Sequence, residues 1–168
     1  LPKKTRAGRV VAQVVLRYGS EQTLMNKPIT SQLLGSMLSR GTESMTRAQF
    51  NDSLDRMKAT VNFGAGSNAI TARIEAANAT LLPALALVAE ALKAPRLDSA
   101  EFAAMKQQRL VGLEQAKSDP QQLAAVALNR RLTPAPKGHP NYVYSADEQA
   151  EIIGATTLAD LREFHRGF

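Results

Sequence analysis

The chain has 168 residues, 44% of them hydrophobic, enough to pack one domain core and too few for two comfortable ones. It has no cysteine, which excludes disulfides, cysteine zinc sites and thiol catalysis, and no apolar run approaches the roughly 20 residues needed to cross a bilayer. The net charge of +6 invites a nucleic-acid reading, but Lys3, Lys4 and Arg6 fall in a linker-like N-terminus over residues 1–8, the other basic residues are dispersed, and aromatics make up 5% with no stacking platform. No nucleic-acid partner and no membrane span are therefore expected.

The first element is a strand in RVVAQVVLRY. Val10, Ala12, Val14, Leu16 and Tyr18 form an apolar face at period two, with Gln13 and Arg17 on the other side. A polar connection follows to Pro28. ITSQLLGSMLSRGT, residues 29–42, then places Ile29, Leu33, Leu34, Met37 and Leu38 at spacings of three and four, the buried stripe of a helix, with Thr30 or Ser31 near its start. Thr46-x-x-Gln49 has capping-box spacing and opens a second helix that buries Phe50, Leu54 and Met57.

Two strands come next. Val61, Phe63 and Ala65 alternate with Thr60, Asn62 and Gly64, and Ile70, Ala72, Ile74 and Ala76 alternate with Thr71, Arg73 and Glu75, an antiparallel hairpin with one wet face. Gly64 and Gly66 predict a bulge or a close backbone approach there; a phosphate-cradling loop would need a lysine at the right spacing, which GAGS lacks. The remainder reads as helical. Leu81, Leu85, Val88 and Leu92 define a helix ending before Pro95, Phe102, Met105, Leu110 and Leu113 another, and Asp119-Pro120 caps a third holding Leu123, Val126 and Ala127. TPAPKGHPNYVYS, with three of the eight prolines inside seven residues, reads as an extended loop, and Thr157-x-x-Asp160 opens a last helix with Leu158, Leu161 and Phe164 on one side. The fold class is α+β, a two-layer structure with an antiparallel sheet covered on one face by helices.

The chemistry, if any, belongs to the second stripe of the helix at 29–42. In the inverted zinc-peptidase motif His-x-x-Glu-His, two imidazoles one turn apart hold the metal and the intervening glutamate activates its water. Gln32, Gly35 and Ser36 stand at that spacing, and none supplies an imidazole or a carboxylate. Gly35, Ser36 and Ser39 are all small, so this face suits close packing or docking as well as it suits plain solvent. His139 and His165 have no ligand spacing between them.

Taken in order, Met37-Leu38-x-x-Gly41-Thr42, the strands around Asn68–Thr71, the Ala/Leu-rich helix closing in KAPRLDSAEF, then SDP, GHP and TTLADLREFH make the chain resemble a domain of the pitrilysin/insulinase zinc metallopeptidase family, which includes the mitochondrial processing peptidases. The resemblance spans nearly the whole chain. It implies a non-catalytic domain with a degenerate zinc motif, no catalytic or metal-binding residues of its own, and zinc only in a homologous catalytic domain of the same chain or of a partner subunit. Glu114 lies near where catalytic relatives carry a third zinc ligand, and alone it has nothing to complete.

The implied role is part of the wall of a substrate chamber that holds unfolded peptide, with a periplasmic location, as is common among bacterial relatives. The alternative is a structural core protein that touches no peptide. A start at Leu1 predicts a single domain excised from a longer chain, and the resemblance predicts a further sheet strand after the last helix, whose loss would favour self-association of the fragment.

Overall fold

The computed structural model describes residues 8–66 and 68–167, so the linker-like reading of residues 1–8 lies, for 1–7, outside the described residues. The element order is β1 (Arg9–Arg17), α1 (Pro28–Met37), α2 (Arg47–Arg56), β2 (Thr60–Ala65), β3 (Ala69–Ala77), α3 (Leu81–Lys93), α4 (Ser99–Ala116), α5 (Pro120–Leu132), α6 (Ala146–Ala155) and α7 (Leu158–Arg166). This is the expected α+β class. The chain divides into two compact units: the described residues up to Arg17 with Gly35–Ala65 and Ala69–Asp98, and those of Tyr18–Leu34, Gly66–Asn68 and Ser99 onward. Helix α1 thus contributes its first seven residues to the second unit and its last three to the first.

The first unit is a three-stranded antiparallel sheet in the order β1-β3-β2 with α2 and α3. Alternation decides its faces. Ile70, Ala72, Ile74 and Ala76 of β3 are buried, whereas Arg73 is exposed and salt-bridged to Glu75, which also pairs with Arg9. Phe50 and Leu54 of α2 and Ala84, Leu87, Val88 and Ala91 of α3 join Ala72, Ile74 and Ala76 of β3 in one apolar cluster, with Val61 and Phe63 packed at its margin. Ala84, Leu87, Val88 and Ala91 make α3's buried contact, whereas Leu81, Leu85 and Leu92 sit half-buried beside it.

Thr46 and Gln49 make the expected reciprocal capping box at the start of α2. No bulge follows from Gly64, which pairs with Thr71 in unbroken register. The Gly41-Thr42 turn has its own cause. Gly41 holds φ at 109°, and a Cβ there would lie 2.5 Å from the Met45 carbonyl oxygen, so the turn requires glycine. Thr42 Oγ1 and Ser44 Oγ then donate to Glu90 Oε1 at 2.6 and 2.5 Å, tying the turn to α3 and lowering the carboxyl's pKa through the Ser44 and then the Thr42 hydroxyl.

The second unit is helical; it buries Leu24, Leu33, Phe102, Ile153 and Leu161, and polar ties join its elements as well. Lys106 of α4 donates to the carbonyls of Gly154 at 2.9 Å and Thr156 at 2.8 Å, satisfying acceptors at the C-terminal end of α6. Ser145 and Glu148 form a second capping box at the start of α6, a helix absent from the sequence reading, and Thr157 and Asp160 form the expected third at α7. The proline loop is held rather than loose: Arg130 bonds the Val143 carbonyl at 2.8 Å and Glu148 at 2.5 Å, and its guanidinium lies 5.0 Å from the Tyr142 ring centre. Helix α5 departs from expectation. It buries no residue, and Leu123, Leu128 and Leu132 are exposed.

Candidate functional site

Helix α1 positions the three residues that the zinc-motif comparison singles out. Its buried stripe is as read, with Ile29, Leu33, Leu34 and Met37 nearly inaccessible. Ser31 does not cap the helix, because α1 begins at Pro28 and Ser31 lies inside it. The Ser31 hydroxyl donates to the Gly66 carbonyl at 3.0 Å and also hydrogen-bonds the buried Tyr18 hydroxyl, a phenol that burial pushes above its ordinary pKa. Phe164 packs edge-on against the Tyr18 ring. This end of the helix is therefore fixed by a buried polar network with every partner present.

Gln32 and Ser36 are half-buried, and Gly35 is fully buried. Gln32 Oε1 accepts a hydrogen bond from Arg109 Nη2 at 3.1 Å, so a guanidinium from α4 is brought to the residue where the motif would carry its first imidazole. Gly35 backs onto Ala65, the last residue of β2. A Cβ built at position 35 collides with the Ala65 Cβ, so the close approach foreshadowed by the hairpin glycines is real but falls on Ala65. Gly64 itself has open space beside it.

These residues do not fit zinc. The amide oxygen of Gln32 already faces a cation, Gly35 has neither a side chain nor room for one, and a neutral hydroxyl at Ser36 is a poor substitute for imidazole. Glu114, in the region of the expected third ligand, is instead an exposed partner of Lys117 at 2.7 Å, the ordinary i,i+3 pair of a helix surface. Among the described residues no three His, Asp or Glu side chains converge as a metal set would.

The histidines have other partners. His139 Nδ1 accepts the Asn141 amide at 3.0 Å while Nε2 faces Glu21 at 3.0 Å, so both nitrogens serve the loop. His165 lies near the end of α7. The loop's Gly138 holds φ at 92°, and Asn26, itself left-handed at φ 61°, donates its amide to the Gly138 carbonyl at 2.7 Å. Beside that joint an open cleft of about 400 Å³ is bordered by Thr30, Lys137, Tyr144, Glu151 and Asp160. Ile152 and Ala155 line it as well, and among the described residues its border supplies no histidine, cysteine or serine to act as nucleophile or imidazole base. No helix among the described residues is long and apolar enough to cross a membrane.

No protein-family model and no curated protein matches the chain. Solved structures do. A peptidase M16 inactive domain from Pseudomonas fluorescens superposes with a TM-score of 0.79 at 26% identity, over 95% of this chain and 38% of the other. A protease from Helicobacter pylori follows with a TM-score of 0.76 at 19% identity, over 94% of this chain and 38% of its own, and the periplasmic protease PqqL from Escherichia coli with 0.75 at 16%, over 95% and 18%. The chain thus spans well under half the length of each of these three structures.

Proposed function

We propose that this chain is an inactive-type domain of the M16 peptidases, the pitrilysin/insulinase family, and that it forms part of a peptidase's substrate chamber, where it holds unfolded peptide beside a homologous catalytic domain. On this reading the zinc belongs to that other domain, in the same chain or a partner subunit. Gln32, Gly35 and Ser36 are the degenerate remnant of a zinc motif, and residues 1–168 act as one domain of a longer protein. A periplasmic location is part of the proposal, supported by the likeness to PqqL.

The observation that carries the reading is the match over 95% of the chain to a structure named as an inactive peptidase domain, combined with an α1 face whose donors do not suit zinc. Mechanistically, a wall domain contributes affinity rather than bond cleavage. Extended peptide is held by backbone hydrogen bonds to a strand edge and by side-chain pockets, without any group that activates water.

Equilibrium dialysis followed by metal analysis, with fluorescence binding of an unfolded peptide, tests this. The expected result is no stoichiometric zinc, no cleavage, and weak peptide binding that a chelator leaves unchanged. The triple variant Gln32→His, Gly35→Glu, Ser36→His is expected to bind zinc weakly at best, because a side chain at position 35 collides with Ala65 and Arg109 brings a competing charge. Tight zinc binding or chelator-sensitive peptidase activity by the natural chain would overturn the reading. A complete lack of peptide affinity would leave a purely structural role.

A further inference from the structure

Four cations of the helical unit differ in what satisfies them. The Lys106 ammonium has two carbonyls, Arg130 has the Glu148 carboxylate and the Val143 carbonyl, and Lys117 has Glu114 at 2.7 Å and Asp147 at 3.0 Å. Arg109 alone of the four has a single acceptor. It is half-buried, yet its hydrogen bond to Gln32 Oε1 at 3.1 Å goes to a neutral amide, and no carboxylate lies within salt-bridge distance among the described residues. A guanidinium carries five N–H donors in a planar fork. Here one is engaged, and Gln32 fixes the orientation of the rest. Partial burial thins the competing water, which strengthens any charge-assisted contact that the fork makes.

We propose that Arg109, oriented by Gln32, is a carboxylate-binding site that takes the carboxylate of a peptide. A fixed positive charge on α4 would then anchor one end or one acidic side chain of the peptide beside α1. The peptide as ligand rests on the chamber-wall reading above, while the carboxylate chemistry rests on Arg109 alone. A planar fork with several unused donors favours a two-oxygen anion over a neutral carbonyl, since two parallel N–H···O bonds can form.

The experiment has two arms. In the first, the side-chain Nε–H signal of Arg109 in the ¹⁵N-labelled chain, assigned by its loss in Arg109→Gln, is followed during titration with N-acetylglycine and then with N-acetylglycinamide. The acid is expected to shift the signal saturably and the amide to leave it in place. In the second arm, fluorescence anisotropy compares an unfolded peptide with a free C-terminus, its C-terminal amide, and the amide carrying one internal aspartate.

Loss of the preferred carboxylate is expected to weaken binding by roughly ten- to a hundredfold, and Arg109→Gln to abolish the difference between peptides. The third peptide separates terminal from side-chain carboxylate. Arg109→Lys, which keeps the charge and loses the fork, is expected to retain an intermediate preference, and circular dichroism checks that both variants fold. Peptides that bind equally well with and without a carboxylate would overturn the site and leave the chamber-wall reading standing. An N-acetylglycine response without any peptide affinity would keep the site and overturn that reading. Silence in both arms would overturn both.

Discussion

The sheet unit and the helical unit both bury apolar side chains, and they differ in the polar contacts added to that core. In the first, Phe50, Ile74, Ala84 and Val88 are at or below 1% exposure and form one continuous apolar cluster, so its cohesion scales with buried carbon. The second buries Leu24, Leu33, Ile153 and Leu161 at or below 1% exposure and adds polar contacts to them: Tyr18 with Ser31, Lys106 with two carbonyls, and Glu148 with Arg130, Tyr142 and Ser145. Meanwhile Leu123, Leu128 and Leu132 stay in water at 53%, 57% and 69% exposure. Apolar content therefore says little about which half is better packed. What matters is whether the apolar residues share a face that another element covers.

That contrast is sharpest where deletion of carbon is largest. Phe50→Ala is expected to destabilise the chain by about 3–5 kcal/mol, since it removes a ring from a site with no solvent access. Urea unfolding would measure it, and a loss below about 1 kcal/mol would mean that the cluster is loosely packed.

A smaller effect is expected in the helical unit, and it should depend on pH. Glu148 Oε1 accepts the Tyr142 hydroxyl at 2.9 Å, and Oε2 accepts the Ser145 amide at 2.8 Å and the Arg130 guanidinium at 2.5 Å. Burial pushes this carboxyl upward, but the Ser145 amide, the Tyr142 hydroxyl and the Arg130 charge together outweigh it and hold the pKa at about 2, down from 4.5. A depressed carboxyl pKa contributes stability that is present above the unfolded value and lost as pH falls through the folded one. The natural chain should thus lose stability between about pH 4.5 and pH 2, and Glu148→Ala should cost about 1.5–3 kcal/mol at neutral pH while flattening that part of the profile. Denaturation of both proteins across the acid range checks the sign. An unchanged acid profile in the variant would move the pH dependence elsewhere.

The smallest effect belongs to the exposed leucines. Leu132→Lys is expected to change the stability of the isolated chain by no more than about 0.5 kcal/mol, although the same substitution type at Leu33 would be severe. A cost above about 1 kcal/mol, measured by thermal unfolding, would show that α5 is covered in solution.

Much of the sheet unit was legible because its signals are local. Period-two alternation found β3 and the inward side of β2, and Thr46-x-x-Gln49 found the start of α2. The misses have physical causes. Ser145-x-x-Glu148 is as good a capping box as the two that were read, yet it lies directly after a proline loop and precedes a helix with a single fully buried residue, Ile153. Leu123 and Val126 have helical spacing, but spacing alone cannot reveal that α5 buries none of its residues. At the candidate site Gln32, Gly35 and Ser36 were in view from the start, whereas Arg109 was not. It lies 77 residues from Gln32 in sequence, and only the path of α4 brings them together. Attention fell on Glu114, five residues further along the same helix and engaged with Lys117 instead.

The contact between Gly35 and Ala65 also constrains how this sequence can change with time. Any residue other than glycine at position 35 meets a methyl group already in place, so a substitution there is penalised until position 65 yields first. Yielding means Ala65→Gly at the end of a strand that already carries Gly64, a step that weakens β2 before it permits anything. Neither order of steps is free of loss. The two positions therefore behave as an epistatic pair with one viable resting state, a ratchet that keeps α1 against β2. A lineage starting from this chain would find a glutamate at position 35 among the hardest residues to acquire.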